Sequence, residues 1–267
     1  MNTLMSRVQD ESLDAVTVVG FGACLIGGHP HREEDGFFRL ALRDAEAETG
    51  VTIRHSVTSI LSITAVKAVE LLDEKVLSQD PDVVVFQFGQ TDARVPTRRL
   101  LREVLGPSVV SKKLLVVEDR RARLNNRMAW FLRGVAGLAF GAQPITSRSN
   151  YRQSISKMCD AVVSSGAYLI VFTPFIQGCF LPDAWAQCYS RDLIDDLSGR
   201  ADVCVIDGWS LLAQHPRNQV LLHNGVHLTR QAHALLAQSL KTKLVEWIRA
   251  RASKSSSTTE SCAHGLG

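Results

Sequence analysis

A chain of 267 residues, 45% of them apolar and 21% charged, can bury a large core and fits one α/β domain better than two small ones. The first residues lack the apolar core of a secretory signal, and no apolar run approaches the ~20 residues of a membrane span, so we expect a cytoplasmic protein. A net charge of +3 is ordinary, and six cysteines without C-x-x-C pairs indicate neither a zinc site nor a disulfide framework.

Apolar, β-branched runs alternate with amphipathic stretches along the chain. A polar leader over 1–14 precedes the first predicted strand, 15–22, which ends in a glycine-rich turn. Further strands are predicted at 51–57, 83–88, 167–173 and 203–206. Helices are predicted at 33–48, 62–77, 151–165, 183–197 and 229–249, the third capped by Ser149 or Asn150. Residues 252–267, rich in Ser and Thr, are predicted to be disordered.

One segment breaks the alternation. Residues 93–149 are long for a connection between strands, and we predict a helical insertion within a single domain that spans 15–251. From 94 to 133 there are 11 Lys or Arg and 3 Asp or Glu, a charge of +8, which leaves −5 for the rest. Three interpretations stand: a plain lid or homodimer contact, a surface that attracts an anionic acyl donor, and a membrane-surface element. Nucleic acid is not an expected partner, since aromatic residues are sparse in the basic stretch.

The alternation of strand and helix predicts a three-layer α/β/α sandwich with a five-stranded parallel sheet in flavodoxin-like order. The carboxyl ends of parallel strands share one edge of such a sheet, and sites of α/β proteins lie there. The chemically interesting residues follow the strands and should therefore meet at that edge. They are Cys24, Ser59, the stretch from Gly89 to Asp92, Asn224 and His227.

Four short stretches carry a resemblance to a known family. GFGACLIGG, HSVTSILS, GQTD and NGVHLT resemble the four blocks of the SGNH or GDSL hydrolases, which are G-D-S, a glycine, G-x-N-D and D-x-x-H. Gly89, Asp92 and His227 match these blocks. Five positions differ: Ala23 stands at the aspartate of the first block, Cys24 at its serine, Ser59 at the glycine, Thr91 at the asparagine and Asn224 at the last aspartate.

The resemblance implies an acyl esterase or acyltransferase that works through a covalent intermediate on a small-molecule or glycan ester, without cofactor or metal. Cys24 would be the nucleophile, His227 the base and Asn224 the residue that orients it. Ser59, Gly89 and Thr91 would form the oxyanion and substrate site. The set is chemically coherent, because a thiol with an ordinary pKa of ~8.5 ionises more easily than an alcohol and papain-like proteases use Cys-His-Asn. A thioester also favours transfer to amines and thiols.

Other interpretations of the same residues remain open. Cys24 can be a small buried residue in a tight turn, and Asn224 can simply be a turn residue before Gly225. Asp207 is a rival partner for the histidine. The alternative function is a catalytically silent protein of this fold that serves binding or assembly. Metal binding by the histidines at 29, 31, 223 and 227 is disfavoured by their loop context, and a dinucleotide fingerprint is incomplete after Gly22.

Overall fold

A computed structural model describes residues 15–95, residue 135 and residues 143–263, with side chains as far as 253. The predicted leader and most of the predicted insertion lie outside these residues. Five strands form one sheet in which all neighbours pair in parallel, in the order β2-β1-β3-β4-β5. They are β1 Ala15–Gly22, β2 Thr52–Ser59, β3 Val83–Gln87, β4 Tyr168–Phe172 and β5 Val203–Ile206. This is the predicted flavodoxin-like order.

Helices cover both faces of the sheet. The helices α1 Phe37–Thr49 and α7 Arg230–Ala263 pack on one face, and α2 Ala65–Lys75, α3 Arg148–Ser164 and α4 Phe180–Leu197 pack on the other. Successive residues of β3 alternate between the two cores, with Val83 and Val85 in the first and Val84 and Phe86 in the second. The apolar run of β3 from Val83 to Phe86 is thus explained by burial on both sides, and the three-layer sandwich is confirmed.

Several predicted boundaries are wrong. The first helix begins as a 3-10 turn, Glu33–Asp35, before α1, and α2 ends at Lys75 rather than residue 77. Helix α3 begins at Arg148, because the Ser147 side chain accepts a hydrogen bond from the Asn150 amide at 3.3 Å; neither predicted cap serves. Helix α4 likewise begins three residues before the predicted start.

The last helix shows the largest difference between prediction and structure. Its end was predicted at residue 249, with disorder from 252, but α7 continues to Ala263. The first Gly or Pro after the predicted end is Gly265, so nothing in the Ser- and Thr-rich stretch forces the helix to stop. No helix in the described part of the chain is long and apolar enough to cross a lipid bilayer.

Two glycines set the spacing between strands at the edge where the site is expected. A Cβ on Gly22 would lie 2.3 Å from the Gln87 carbonyl oxygen, so only glycine allows β1 to end this close to β3. Gly89 has a φ of +105°, and a Cβ there would lie 2.2 Å from Pro174 Cγ. Both glycines are therefore required by backbone geometry where the strand order reverses, which is the usual place for a site in this architecture.

Candidate functional site

The turn after β1 presents Cys24. The Ala23 amide donates to the Gln87 carbonyl at 3.1 Å, and the His29 amide donates to the Cys24 carbonyl at 3.1 Å. The turn therefore closes over residues 24–29 and leaves Cys24 only 9% exposed. This burial raises the pKa of the thiol, while the positive charge of Arg94 acts in the opposite direction. At neutral pH Cys24 is a protonated thiol.

The loop after β5 presents Asn224 and His227. Two short helices, α5 Gly208–Ala213 and α6 Arg217–Val220, lead into it, and an antiparallel bridge between Leu221 and Leu228 closes its base. The Asn224 Oδ1 accepts hydrogen bonds from the amides of Val226 and His227, both at 3.0 Å. This is the local capping that an Asx residue provides in a turn, and it explains why the sequence folds into a tight loop here.

The same asparagine side chain contacts the histidine ring. Its Nδ2 lies 2.7 Å from His227 Nδ1. The two backbone amides that bind Oδ1 settle the orientation of the side-chain amide, and an amide nitrogen can only donate. His227 Nδ1 is therefore the acceptor, and the proton of the neutral ring is on Nε2. An aspartate at this position would instead accept a hydrogen bond from Nδ1–H, so the substitution reverses the direction of this hydrogen bond.

His227 is neutral near pH 7. Burial, together with the neighbouring His29, Arg94 and His31, lowers the pKa of its imidazole to about 4. These surroundings favour the neutral ring over an imidazolium in the resting protein.

Two histidines join the turn to the loop. The His29 amide is part of the Cys24 turn, and its ring meets the His227 ring edge-on at a centroid distance of 4.8 Å. The His31 Nε2 lies 3.0 Å from the Leu228 carbonyl, one residue beyond His227. The turn that carries Cys24 and the loop that carries His227 therefore meet at the carboxyl edge of the sheet. The sequence analysis treats His29 and His31 only as candidate metal ligands and does not predict their position between the Cys24 turn and the His227 loop.

The predicted oxyanion residues lie around the same edge. Ser59 is the last residue of β2 rather than a loop residue, because the pairing with β1 continues to its partner Gly22. Its hydroxyl donates to the Ala23 carbonyl at 3.3 Å, next to Cys24. Thr91 is 5% exposed and lies in the turn after β3, in which the Ala93 amide donates to the Gly89 carbonyl at 2.9 Å. Their catalytic roles stay predictions.

Two carboxylates near this edge serve the fold. Asp92 is fully buried, its Oδ1 accepts from the Ala65 amide at 3.0 Å, and burial raises the pKa of its carboxyl. It thereby ties the β3 turn to the start of α2. Asp207 accepts from the Ser210 amide at 3.0 Å and the Thr173 hydroxyl at 3.1 Å, and so caps α5. Asn224, and not Asp207, contacts His227.

Arg94 is the site residue that the sequence analysis missed. Its charge lowers the pKa of both the Cys24 thiol and the His227 imidazole, so it lies within electrostatic reach of both. It lies two residues after Asp92, the last residue of GQTD, and the sequence analysis counts it only as part of the basic insertion. The signal that could have found it is a basic residue close after the GQTD block, at the predicted carboxyl edge of the sheet.

Comparisons with solved structures identify the fold. A lipase from a goat rumen metagenome superposes with a TM-score of 0.59 at 14% identity, over 85% of this chain and 96% of that one. A lipolytic protein of the G-D-S-L family from Desulfitobacterium hafniense gives 0.55 at 13% identity, over 85% and 98%. An acetylxylan esterase from Geobacillus stearothermophilus gives 0.57 at 14% identity, over 84% and 91%. This chain therefore has the fold of the GDSL or SGNH hydrolases.

Comparison of sequences finds no match, whereas comparison of structures identifies the fold. No protein-family model matches the chain, and no curated protein matches it significantly. The fold resemblance inferred from four short blocks is thus confirmed by shape, and the chemistry must be argued from the residues of this chain.

Proposed function

We propose that this protein is an acyl esterase or acyltransferase that forms a thioester at Cys24. The observation that carries the proposal is the junction built by His29, which binds the Cys24 carbonyl through its amide and contacts His227 through its ring. The loops that carry the Cys24 thiol and the His227 imidazole are thereby joined at the edge where this fold places its sites.

The proposed reaction has two halves. In the first, the Cys24 sulfur attacks the ester carbonyl carbon, its proton passes to His227, and a tetrahedral oxyanion forms. The intermediate collapses to a Cys24 thioester, and the leaving alcohol takes the proton from the histidine. In the second, water or an acceptor amine or thiol attacks the thioester, and the proton returns to sulfur. Backbone and hydroxyl donors near Ser59 and Thr91 would stabilise the oxyanion.

The tautomer of His227 limits the first step. Nε2 must be unprotonated to accept a proton from sulfur, but the hydrogen bond from Asn224 places the ring proton on Nε2. The reactive tautomer has its proton on Nδ1, where it faces the Asn224 amide and loses one hydrogen bond worth about 1 kcal/mol. We therefore propose a slow enzyme in which the competent tautomer is a minor one.

The same features favour a second candidate, a catalytically silent protein that uses this fold for binding. Cys24 is 9% exposed, burial raises its thiol pKa, and Asn224 opposes the tautomer that catalysis needs. This alternative predicts that Cys24 does not react with activated esters at any rate above that of an ordinary buried thiol.

Mass spectrometry after brief exposure to 4-nitrophenyl acetate separates the two candidates. The enzyme predicts acetylation at Cys24 and turnover that Cys24→Ala abolishes and His227→Ala lowers by about 100-fold or more. Cys188→Ala removes a half-buried cysteine in α4 and serves as the matched control. Absence of an adduct at Cys24, or an adduct that forms equally fast in His227→Ala, would contradict the proposal. Transfer is distinguished from hydrolysis by adding a small amine and measuring the amide product.

A further inference from the structure

Arg94 is held firmly at the edge of the candidate site. Its amide donates to the Thr91 carbonyl at 3.2 Å, and its carbonyl accepts from the Ile145 amide at 2.8 Å. Its guanidinium donates to the Ser62 hydroxyl at 3.4 Å. The residue therefore lies between the exits of β2 and β3, where the two ends of the insertion come together, and its backbone is fixed on both sides.

The guanidinium has no carboxylate partner among the described residues. Two exposed arginines elsewhere in the described chain pair with largely buried carboxylates: Arg148 binds Asp192 and Arg217 binds Asp183, each through a nitrogen and an oxygen at 2.6 Å. Arg94 is partly buried, and this burial lowers the pKa of its guanidinium. A desolvated cation without a counter-ion costs stability, and such a group is expected where a ligand supplies the missing charge.

The side chains described on the Cys24 and His227 sides of the site are imidazoles and an amide rather than carboxylates. His29 and His31 lie on the Cys24 side of the site, and the last block has Asn224 where the SGNH hydrolases have an aspartate. Asp92, two residues before Arg94, is directed at the Ala65 amide and fully buried. The described part of the site thus lacks a negative charge to balance the guanidinium, and an anion that enters it meets an attractive field.

Two exposed apolar side chains lie at or next to residues that bind Arg94. Leu61 is 69% exposed and precedes Ser62, the hydroxyl partner of Arg94; Ile145 is 49% exposed and binds its carbonyl. Single exposed apolar side chains are common on protein surfaces, and these two supply apolar surface next to residues that bind Arg94. Apolar surface beside an unpaired cation suits a ligand that joins a short hydrocarbon chain to an anionic group.

We infer that Arg94 binds a carboxylate or phosphate of the substrate, so that the site selects acyl esters that carry a negative charge. This inference rests on the proposed function and adds the substrate class and the residue that selects it. A guanidinium suits this role because its planar donors match both oxyanions in a bidentate pair.

Two esters of equal length test the selection. The first is the 4-nitrophenyl monoester of adipic acid, and the second has its free carboxylate blocked as a methyl ester. The native protein should give a kcat/KM at least about tenfold higher for the first ester, an effect carried mainly by KM. Arg94→Met should lower this ratio by about tenfold or more, and Arg94→Lys should restore part of it. Arg54→Met removes an exposed arginine of β2 far from that strand's carboxyl end and should leave the ratio unchanged.

A binding measurement makes the inference testable without turnover. Titration calorimetry with adipate should show binding to the native protein and to Arg54→Met, and at least about tenfold weaker binding to Arg94→Met. If the esters are not hydrolysed but adipate binding depends on Arg94, the proposed function fails and the anion site stands. If the native protein hydrolyses both esters equally, the inference is overturned. It is also overturned if Arg94→Met lowers both rates by the same factor and so keeps the preference for the charged ester. It also fails if adipate binding is independent of Arg94.

Discussion

Among the described residues, the two edges of the central sheet differ in how their charged side chains are paired. At the edge formed by the amino ends of the strands, Asp82 accepts from the Thr17 amide at 2.8 Å and pairs with Arg251. The Arg251 guanidinium also lies 5.2 Å from the centroid of the Trp247 ring. At the carboxyl edge, Arg94 has a hydroxyl partner at 3.4 Å, and the ring of His227 meets a side-chain amide where a carboxylate would pair with it.

The difference distinguishes charged groups whose pairing supports the fold from groups at the carboxyl edge whose burial lowers the stability of the fold. A paired charge at a surface is nearly neutral in its effect on folding, whereas a desolvated cation and buried neutral histidines are disfavoured unless something else retains them. A functional site is the usual reason that a protein tolerates such groups.

The largest expected effect is the pH dependence of stability at the carboxyl edge. Burial lowers the pKa of His227 and of His233, which packs beside His31, to about 4 in each case. The unfolded chain, with a histidine pKa near 6.5, binds more protons between pH 6.5 and 4. The free energy of unfolding should therefore fall as the pH drops through this window, by roughly 3 kcal/mol for each histidine.

Urea unfolding at pH 7, 6, 5 and 4.5 measures this loss. His233→Gln should reduce the loss relative to the native protein, because one of the two groups that must stay neutral is gone. His223→Gln, which removes an exposed histidine of the loop that carries His227, is the control and should follow the native curve. Parallel curves for the native protein and His233→Gln would show that His233 does not stay neutral in the fold.

The next effect concerns the direction of one hydrogen bond. Asn224→Asp keeps an oxygen for the amides of Val226 and His227 and replaces the donor facing Nδ1 with an acceptor. The ring proton should move to Nδ1, which frees Nε2 to act as base and raises the pKa of His227. We expect kcat/KM for an activated ester to rise at least about tenfold. The gain should be smaller than the roughly 10⁴-fold that the reverse change costs a serine triad, since a thiol needs less assistance.

Rate against pH distinguishes this effect from a general change in charge. The acid limb of kcat/KM should move to higher pH in Asn224→Asp, because it reports the pKa of the free imidazole. Asn150→Asp adds the same charge at an exposed position of α3 and should change neither the rate nor the limb. A variant Asn224→Asp with unchanged or lower activity would argue that His227 is not the base.

The smallest effect compares two arginines by stability alone. Arg251→Met removes a half-exposed ion pair and its contact with Trp247, and should lower the free energy of unfolding by about 1 kcal/mol or less. Arg94→Met removes a cation without a carboxylate partner in the described chain, and should lower it by nothing or raise it. Urea unfolding at pH 7 checks both, and a greater loss from Arg94→Met would mean that Arg94 supports the fold.

The architecture followed from local pattern. Apolar runs such as the one at β3 and the alternation with amphipathic stretches predicted five parallel strands and their order, because burial on both faces imposes a composition that can be read along the chain. Ends of elements were less predictable. The cap at Ser147 and the continuation of α7 to Ala263 depend on single hydrogen bonds and on the absence of a strong stop signal.

The site was predictable in position and less so in detail. The four blocks placed Cys24, Asn224 and His227 at one edge, and the structure brings their loops together. It also showed that Ser59 ends a strand and that Gly89 is required by contact with Pro174. Neither could be deduced from spacing, because register between strands and the approach of distant loops are not properties of a short stretch.

The sequence by itself determined the fold class, the edge of the sheet that holds the site and the residue types available there. Only the tertiary structure decided what those residues face. Two backbone amides orient the Asn224 side chain so that it donates to His227, His29 joins two loops about 200 positions apart, and the charge of Arg94 acts on both Cys24 and His227. Periodicity is a one-dimensional property that burial imposes on the chain, whereas hydrogen-bond direction and charge pairing depend on neighbours that only folding supplies.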